Sequence, residues 1–278
     1  MADTLPMPTA ARLFLPLFLA LGSSLHAQVQ SQSDPKALAA VRAAVASQLE
    51  ADRNDHSNWI YMLNDNSPEH SGIYRCAGSP QGEVRLLVER NGHPVSPAMT
   101  QSEYERIERY INDPDEQVRN KKNQAHDDAQ ATGLLQMLPT AFIWTIASDT
   151  PELLTLNYRP DPSFDGPDMQ SKVMALMAGQ LVIVHKGNLI KSFTGKLTEE
   201  FRIAFGLVGH LNKGGTIDIE RKDVGGGHWE IVETHVHIGG HALFFKTIGT
   251  QQDEVKTDWK PSPAKTLHEA ARILGAEQ

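Results

Sequence analysis

Apolar residues recur at helical spacing near the two ends of the chain and in one central stretch, and alternate with polar residues almost everywhere else. Leu38, Val41, Val45 and Leu49 set a three-to-four-residue rhythm in "DPKALAAVRAAVASQLEADRND". That rhythm predicts an amphipathic helix over 35–52 with one narrow apolar stripe. "NWIYMLND" and "GEVRLLVERNG" then read as strands, the second alternating Val84, Leu86 and Val88 with Arg85 and Glu89. In "TQSEYERIERYI", Tyr104, Ile107 and Ile111 share a face, and Thr100 with Glu103 has the spacing of a capping box, so a helix is expected over 100–112. Pro114 interrupts it. The charged stretch "DPDEQVRNKKNQAHDDAQ" has no apolar stripe and mixes both signs, as a solvated helix or a linker does; "LLQMLP" after it reads as one helical turn.

From Gly133 the period shortens. "AFIWTIAS" and "ELLTLNYRP" flank the turn "DTP", and "DPSFDGPD" is a Pro-rich loop. A run of hairpins follows: "GQLVIVH" and "LIKSFTGKL" around "KGN", then "FRIAFGLVGHL" and "GTIDIERKDV" around "NKG". "GGG" introduces "HWEIVETHVHI", and "GGH" reads as the turn into "ALFFKTIGTQQDEVKTDW". Thr266 and Glu269 cap a last helix over 266–274, closed by Gly275. Two or three strands, a helical insertion at about 100–140, some seven further strands and terminal helices define an α+β fold. The expected architecture is one large curved antiparallel sheet with helices covering one face.

Composition adjusts this picture at the N-terminus. Arg12 precedes "LFLPLFLALGSSL", which is shorter than the ~20 apolar residues of a spanning helix. "SLHAQ" offers a small-residue cleavage position after Ala27. The pattern is that of a secretory signal peptide over 1–27, which assigns the protein to the periplasm and leaves 28–278 as a single domain. The net charge of −8 argues against a nucleic-acid partner, and no second stretch approaches membrane-spanning length, so no stable membrane insertion is expected after cleavage. Cys76 is the only cysteine, so no disulfide forms within the chain, and a small buried apolar role is expected of it.

The strand-rich half resembles a known family. "GQLVIVHKGNLIKSFTGKL", "GLVGHLNKGGTIDIERKDVGGGHWEI" and "HVHIGGHALFFKTIGTQQDEVKTD" are similar to exported bacterial proteins of the outer-membrane lipoprotein-sorting-like group, and "NYRPDPSF" and "VRLLVERNGHPVSP" fit the same pattern. The resemblance runs from about Asn58 to Asp258, with "GHLNKGGT" and "GHALFFKTI" its most specific blocks. It implies the half-barrel of lipoprotein carriers, an antiparallel sheet around an apolar hollow under a helical lid. It implies no catalytic residues. Members of that group have no established activity; the first functional reading, which follows from such a hollow, is a non-enzymatic module for a hydrophobic ligand, a lipid or an acylated protein segment, with no cofactor. Trp144, Phe193, Phe205 and Phe244 are then the candidate lining residues.

The chemistry most visible in the chain is "ETHVHIGGH". Side chains alternate along a strand, which puts Trp229, Ile231, Glu233, His235 and His237 on one side and Val232, Val236 and Ile238 on the other. His235 and His237, with Glu233 or His241, have the ligand types zinc takes, and a metal-binding or metal-dependent hydrolase function is the competing reading. The other account is a polar strand face opposite an apolar one. A third reading is an envelope interaction protein with a filled hollow. "GHLNKGGT" lacks the spacing of a phosphate loop and reads as a hairpin turn; Asp161, Asp165 and Asp168 lack the spacing of a calcium loop.

Overall fold

The alternating segments pair into one open antiparallel sheet. The computed structural model describes residues 32–68, 70–203, 209–242 and 246–275, so the expected signal peptide, Phe205 and Phe244 lie outside the described residues. Among these, thirteen strands and five helices form. The first part of the chain runs α1 (Pro35–Asn54), β1 (Trp59–Asp65), β2 (Gly72–Ser79), β3 (Gly82–Arg90), β4 (His93–Pro94), α2 (Pro97–Ile111) and α3 (Pro114–Ala141). Then come β5 (Phe142–Asp149), β6 (Leu153–Pro160), α4 (Met169–Met174), β7 (Met177–Val184), β8 (Leu189–Leu197), β9 (Phe201–Ile203) and β10 (Gly209–Leu211). The chain closes with β11 (Thr216–Asp223), β12 (Trp229–Ala242), β13 (Lys246–Pro261) and α5 (Leu267–Gly275).

The strand order is β4-β3-β2-β1-β13-β12-β11-β8-β7-β6-β5, with β10 pairing the far end of β12 and β9. The first and last strands therefore meet in the middle of the sheet, Trp59 opposite Pro261 and Asp65 opposite Glu254. Helices α2 and α3 carry the chain from the β3–β4 edge to the β5 edge.

The helices do not share one face, which corrects the expectation of one-sided cover. Cross-strand partners point the same way, so each face can be followed through the register. Leu181 lies opposite Phe193, Phe193 opposite Ile219, and Ile219 opposite Thr234. Thr234 lies opposite Glu254, which pairs with Asp65 on the side of Leu63 and Tyr61. This first face carries α1 and α3: Val41, Ala44 and Val45 of α1 and Met137 and Leu138 of α3 pack with Trp144, Leu156, Tyr158, Leu181 and Phe193. The opposite face carries α2 and α5, where Ile107, Leu267, Ala270 and Leu274 pack on Ala77, Val84 and Leu86. A sheet this wide exposes apolar residues on opposite sides at its two ends, and each end takes its own cover.

Local sequence accounts for the element ends. Asp34 caps α1, its carboxylate accepting from the amides of Lys36 and Ala37, with Pro35 at the first helical position. Helix α2 starts earlier than its capping-box spacing suggests. Ser96 is its cap, and Glu103 instead accepts from the Leu87 amide and pairs with Arg106. Asp113 caps α3, which runs unbroken through both the charged stretch and "LLQMLP"; residues 118–133 are exposed all round. Strand β2 was not anticipated, because "GIYRCAGS" alternates poorly. Its Cys76 is fully buried between Tyr61 and Arg85, and burial together with nearby Glu83 pushes the thiol up to about 12, which keeps it inert.

Two further corrections concern glycines and register in β12. Gly239 and Gly240 are not a turn: the strand continues through them to Ala242. Gly240 lies opposite Leu211, where a β-carbon would run into the His210 carbonyl, so glycine admits β10 beside β12. Nearer the start, Glu220 pairs with Glu233 but Arg221 pairs with Ile231, leaving Val232 as a bulge. Strict alternation fails there, and Ile231 does not share a face with Glu233 and His235.

Candidate functional site

Between the first face and its helices lies a cavity of about 340 Å3. Its floor is Leu181 of β7, Ile190 and Phe193 of β8, Ile217 and Ile219 of β11 and Ile231 of β12; its roof is Leu134, Leu135 and Leu138 of α3 with Met174 of α4. These are the apolar halves of alternating strands and the buried end of α3, so the walls follow from period-two and period-3.6 patterning. The volume is roughly twice that of the ~150 Å3 apolar cavity that takes up benzene, and falls in the range of small-molecule pockets. The size suits a short stretch of alkyl chain.

One end of the cavity is polar. Gln48 and Asp52 of α1, Arg221 of β11 and Glu230 of β12 line it, and the same four residues line an adjoining open pocket of about 810 Å3. Farther out, this vestibule includes Asp55, Asp128 and His228. His228 Nδ1 lies 3.2 Å from Asp55 Oδ2, and its ring meets the Trp59 ring edge-on at 5.5 Å. Burial lowers the Arg221 guanidinium from its ordinary value, against the pull of Asp52, Glu230 and Asp55. Burial and the charge of Asp55 raise the Glu230 carboxyl, against Arg221. A charged group is costly to bury without a partner, and this end of the cavity holds one guanidinium among several carboxylates.

Of the aromatic candidates, Phe193 lines the cavity and stacks on Tyr158 at 4.9 Å. Trp144 is fully buried in the core instead, its Nε1 donating to the Leu138 carbonyl at 2.9 Å, and is not among the lining residues. Phe205 and Phe244 lie outside the described residues.

His235 and His237 lie on the opposite face of the sheet, away from the cavity. Asp253 of β13, directly across from His235, joins two of them: Oδ1 is 2.9 Å from His235 Nδ1 and Oδ2 is 2.7 Å from His237 Nε2. These hydrogen bonds, from His237 first and then His235, hold the Asp253 carboxyl below its ordinary value. Glu233 Oε2 is 3.9 Å from His235 Nε2, while Glu233 also pairs with Lys222. His241 stands apart, four residues or about 13 Å farther along the strand, its ring beside that of His210 at 5.8 Å. Among the described residues no group of three or more His, Cys, Asp or Glu is placed to hold a metal ion. Asp161, Asp165 and Asp168 do not converge either: they bond Ser163, Lys172 and the first turn of α4.

No family model, curated protein or solved structure matches the chain. No helix among the described residues is long and apolar enough to cross a membrane.

Proposed function

We propose that this protein is a non-enzymatic binding module for a hydrophobic ligand, a lipid or an acylated segment, working in the periplasm in the manner of a lipoprotein carrier. The observation that carries the proposal is the cavity of about 340 Å3, walled by leucine, isoleucine and phenylalanine and opening onto a polar vestibule. Each methylene transferred from water into such a site contributes about 0.8 kcal/mol, so five buried methylenes supply about 4 kcal/mol before the cost of immobilising the chain. The wide open antiparallel sheet with helical cover agrees with the carrier resemblance in outline.

Native mass spectrometry of protein purified without detergent tests the reading. A bound lipid should accompany the protein, and the neutral apolar fluorescent probe N-phenyl-1-naphthylamine should compete with it. Ile219→Asp places a charge on the cavity floor and should weaken the probe at least tenfold while far-UV circular dichroism stays unchanged. A wild-type protein that carries no lipid, and takes up the probe no better than an unrelated acidic protein, sinks the reading. Export has its own test: the protein recovered from the periplasm should begin at Gln28, and retention of residues 1–27 counts against it.

A further inference from the structure

Two residues at the polar end of the apolar cavity each carry a buried side-chain atom that the chain leaves without a partner. Gln48 is 4 % exposed. Its Nε2 donates to Asp52 Oδ1 at 2.6 Å, one turn along α1, while Oε1 has no hydrogen-bond partner. Arg221 donates from Nη2 to the Trp229 carbonyl, while its buried Nε–H has no acceptor. Both residues line the cavity and the vestibule. A buried donor or acceptor left unpaired costs the full desolvation of that group, and buried groups in folded chains are nearly always satisfied. Here one donor and one acceptor stand unsatisfied on two residues that line the same end of the cavity.

The charges around them narrow the choice of ligand. A lone buried arginine at the end of an apolar pocket suits a carboxylate or phosphate. Arg221, however, already shares its surroundings with Asp52 and Glu230 in the cavity and Asp55 beyond it. An anionic head group would bring a further negative charge among these carboxylates. A cationic ammonium would put a second positive charge beside Arg221 and could not accept a hydrogen bond from its Nε–H. An uncharged group that both donates and accepts meets neither penalty.

Building on the reading of this site as a hydrophobic-ligand pocket, we propose that it selects alkyl or acyl chains whose polar end is an uncharged hydroxyl or amide, accepting a hydrogen bond from Arg221 Nε–H and donating one to Gln48 Oε1. The orphaned pair is thereby closed through a single ligand group, and the chain lies along Leu181, Phe193 and Ile219.

A matched series on the full mature protein tests this: 1-decanol, decanamide, decanoate and decylammonium compete at pH 7.5 against the neutral fluorescent probe N-phenyl-1-naphthylamine. Decanol and decanamide should displace the probe at concentrations at least about tenfold lower than either charged compound. Gln48→Leu and, separately, Arg221→Lys should erase that preference while the probe itself still binds. The lysine variant keeps the positive charge and removes the Nε–H, which guards against a result that reflects only misfolding. If the probe binds but decanoate or decylammonium competes best, the head-group selectivity is overturned and the hydrophobic pocket stands. If both variants retain the wild-type ranking, the roles of Gln48 and Arg221 are overturned. If the probe does not bind and no compound competes with it, the pocket reading falls and the selectivity with it.

Discussion

Replacing Phe193 by alanine separates a wall that borders empty space from a wall packed on both sides. Phe193 is 8 % exposed, stacks on Tyr158 with rings 14° apart, and lines the cavity. Phe→Ala in a closed core costs about 3–5 kcal/mol, part of it from the void left behind. Here a void exists beforehand, so the ring has fewer contacts to lose on that side. Losing the stack on Tyr158 accounts for about 0.5–1.5 kcal/mol, and the remaining buried ring area for about 2 kcal/mol. The expected destabilisation is therefore about 3 kcal/mol. For a chain of this size that lowers Tm by about 6–12 °C. Urea unfolding followed by circular dichroism measures it, and the slope should stay at the wild-type value. A loss above about 5 kcal/mol would show Phe193 packed on every side and the cavity closed. A loss below about 1 kcal/mol would refute its place in the core.

Gly195→Ala should destabilise the fold by about 3 kcal/mol, because the new β-carbon meets the Tyr158 hydroxyl that donates to the Thr194 carbonyl. Tyr158→Phe alone should cost about 1 kcal/mol, and the double variant should be more stable than the sum of the two by about 1–2 kcal/mol; strict additivity speaks against the contact. Glu230 has a raised carboxyl pKa in the fold, so its stability contribution is full below about pH 4.3 and declines as pH rises through the folded value. The Tm difference of Glu230→Gln from wild type should accordingly grow more positive between pH 4 and pH 7, and a flat difference contradicts it. Asp253 is shifted the other way, so its contribution is present above about pH 3.9 and is lost as pH falls through the folded value. Asp253→Asn should be less acid-sensitive than wild type below pH 4 in a pH titration of ellipticity, and parallel curves remove the assignment.

What the sequence made legible is what one strand or helix reveals by itself. Periodicity located the helices α1, α2 and α5, and nearly every strand, because each buries one face and keeps the other polar. The two faces of the sheet were not legible, since cover is decided by which strands become neighbours. The pairing of β1 with β13 joins residues that are roughly 200 positions apart. Asp253 escaped notice for a related reason: it lies opposite His235 only through the β12–β13 register, and nothing near "ETHVHIGGH" points to it. The bulge at Val232 displaced Ile231 from the side that alternation gives it. Gln48 and Arg221 each carried only a weak signal. One reads as a polar position inside an apolar stripe, the other as a charged residue in line with Ile217 and Ile219 of an alternating strand, and both become informative only when the cavity between them exists.

Exchange of terminal helices between the two ends of the sheet has a consequence for how the chain unfolds. α1, from the start of the chain, completes the core of β5–β8, while α5, from its end, completes the core of β2 and β3. Each half of the sequence thus supplies the missing cover of the other, and neither half contains its own finished core. Two spatially separate clusters are in this way made mutually dependent. Detaching α5 opens one core and frees the C-terminal end of β13, which loosens the central seam with β1, and β1 is joined directly to α1 in the other core. Melting at either end is therefore transmitted through the connectivity rather than through contact, and the thirteen strands should be lost in a single cooperative transition rather than as two independent halves.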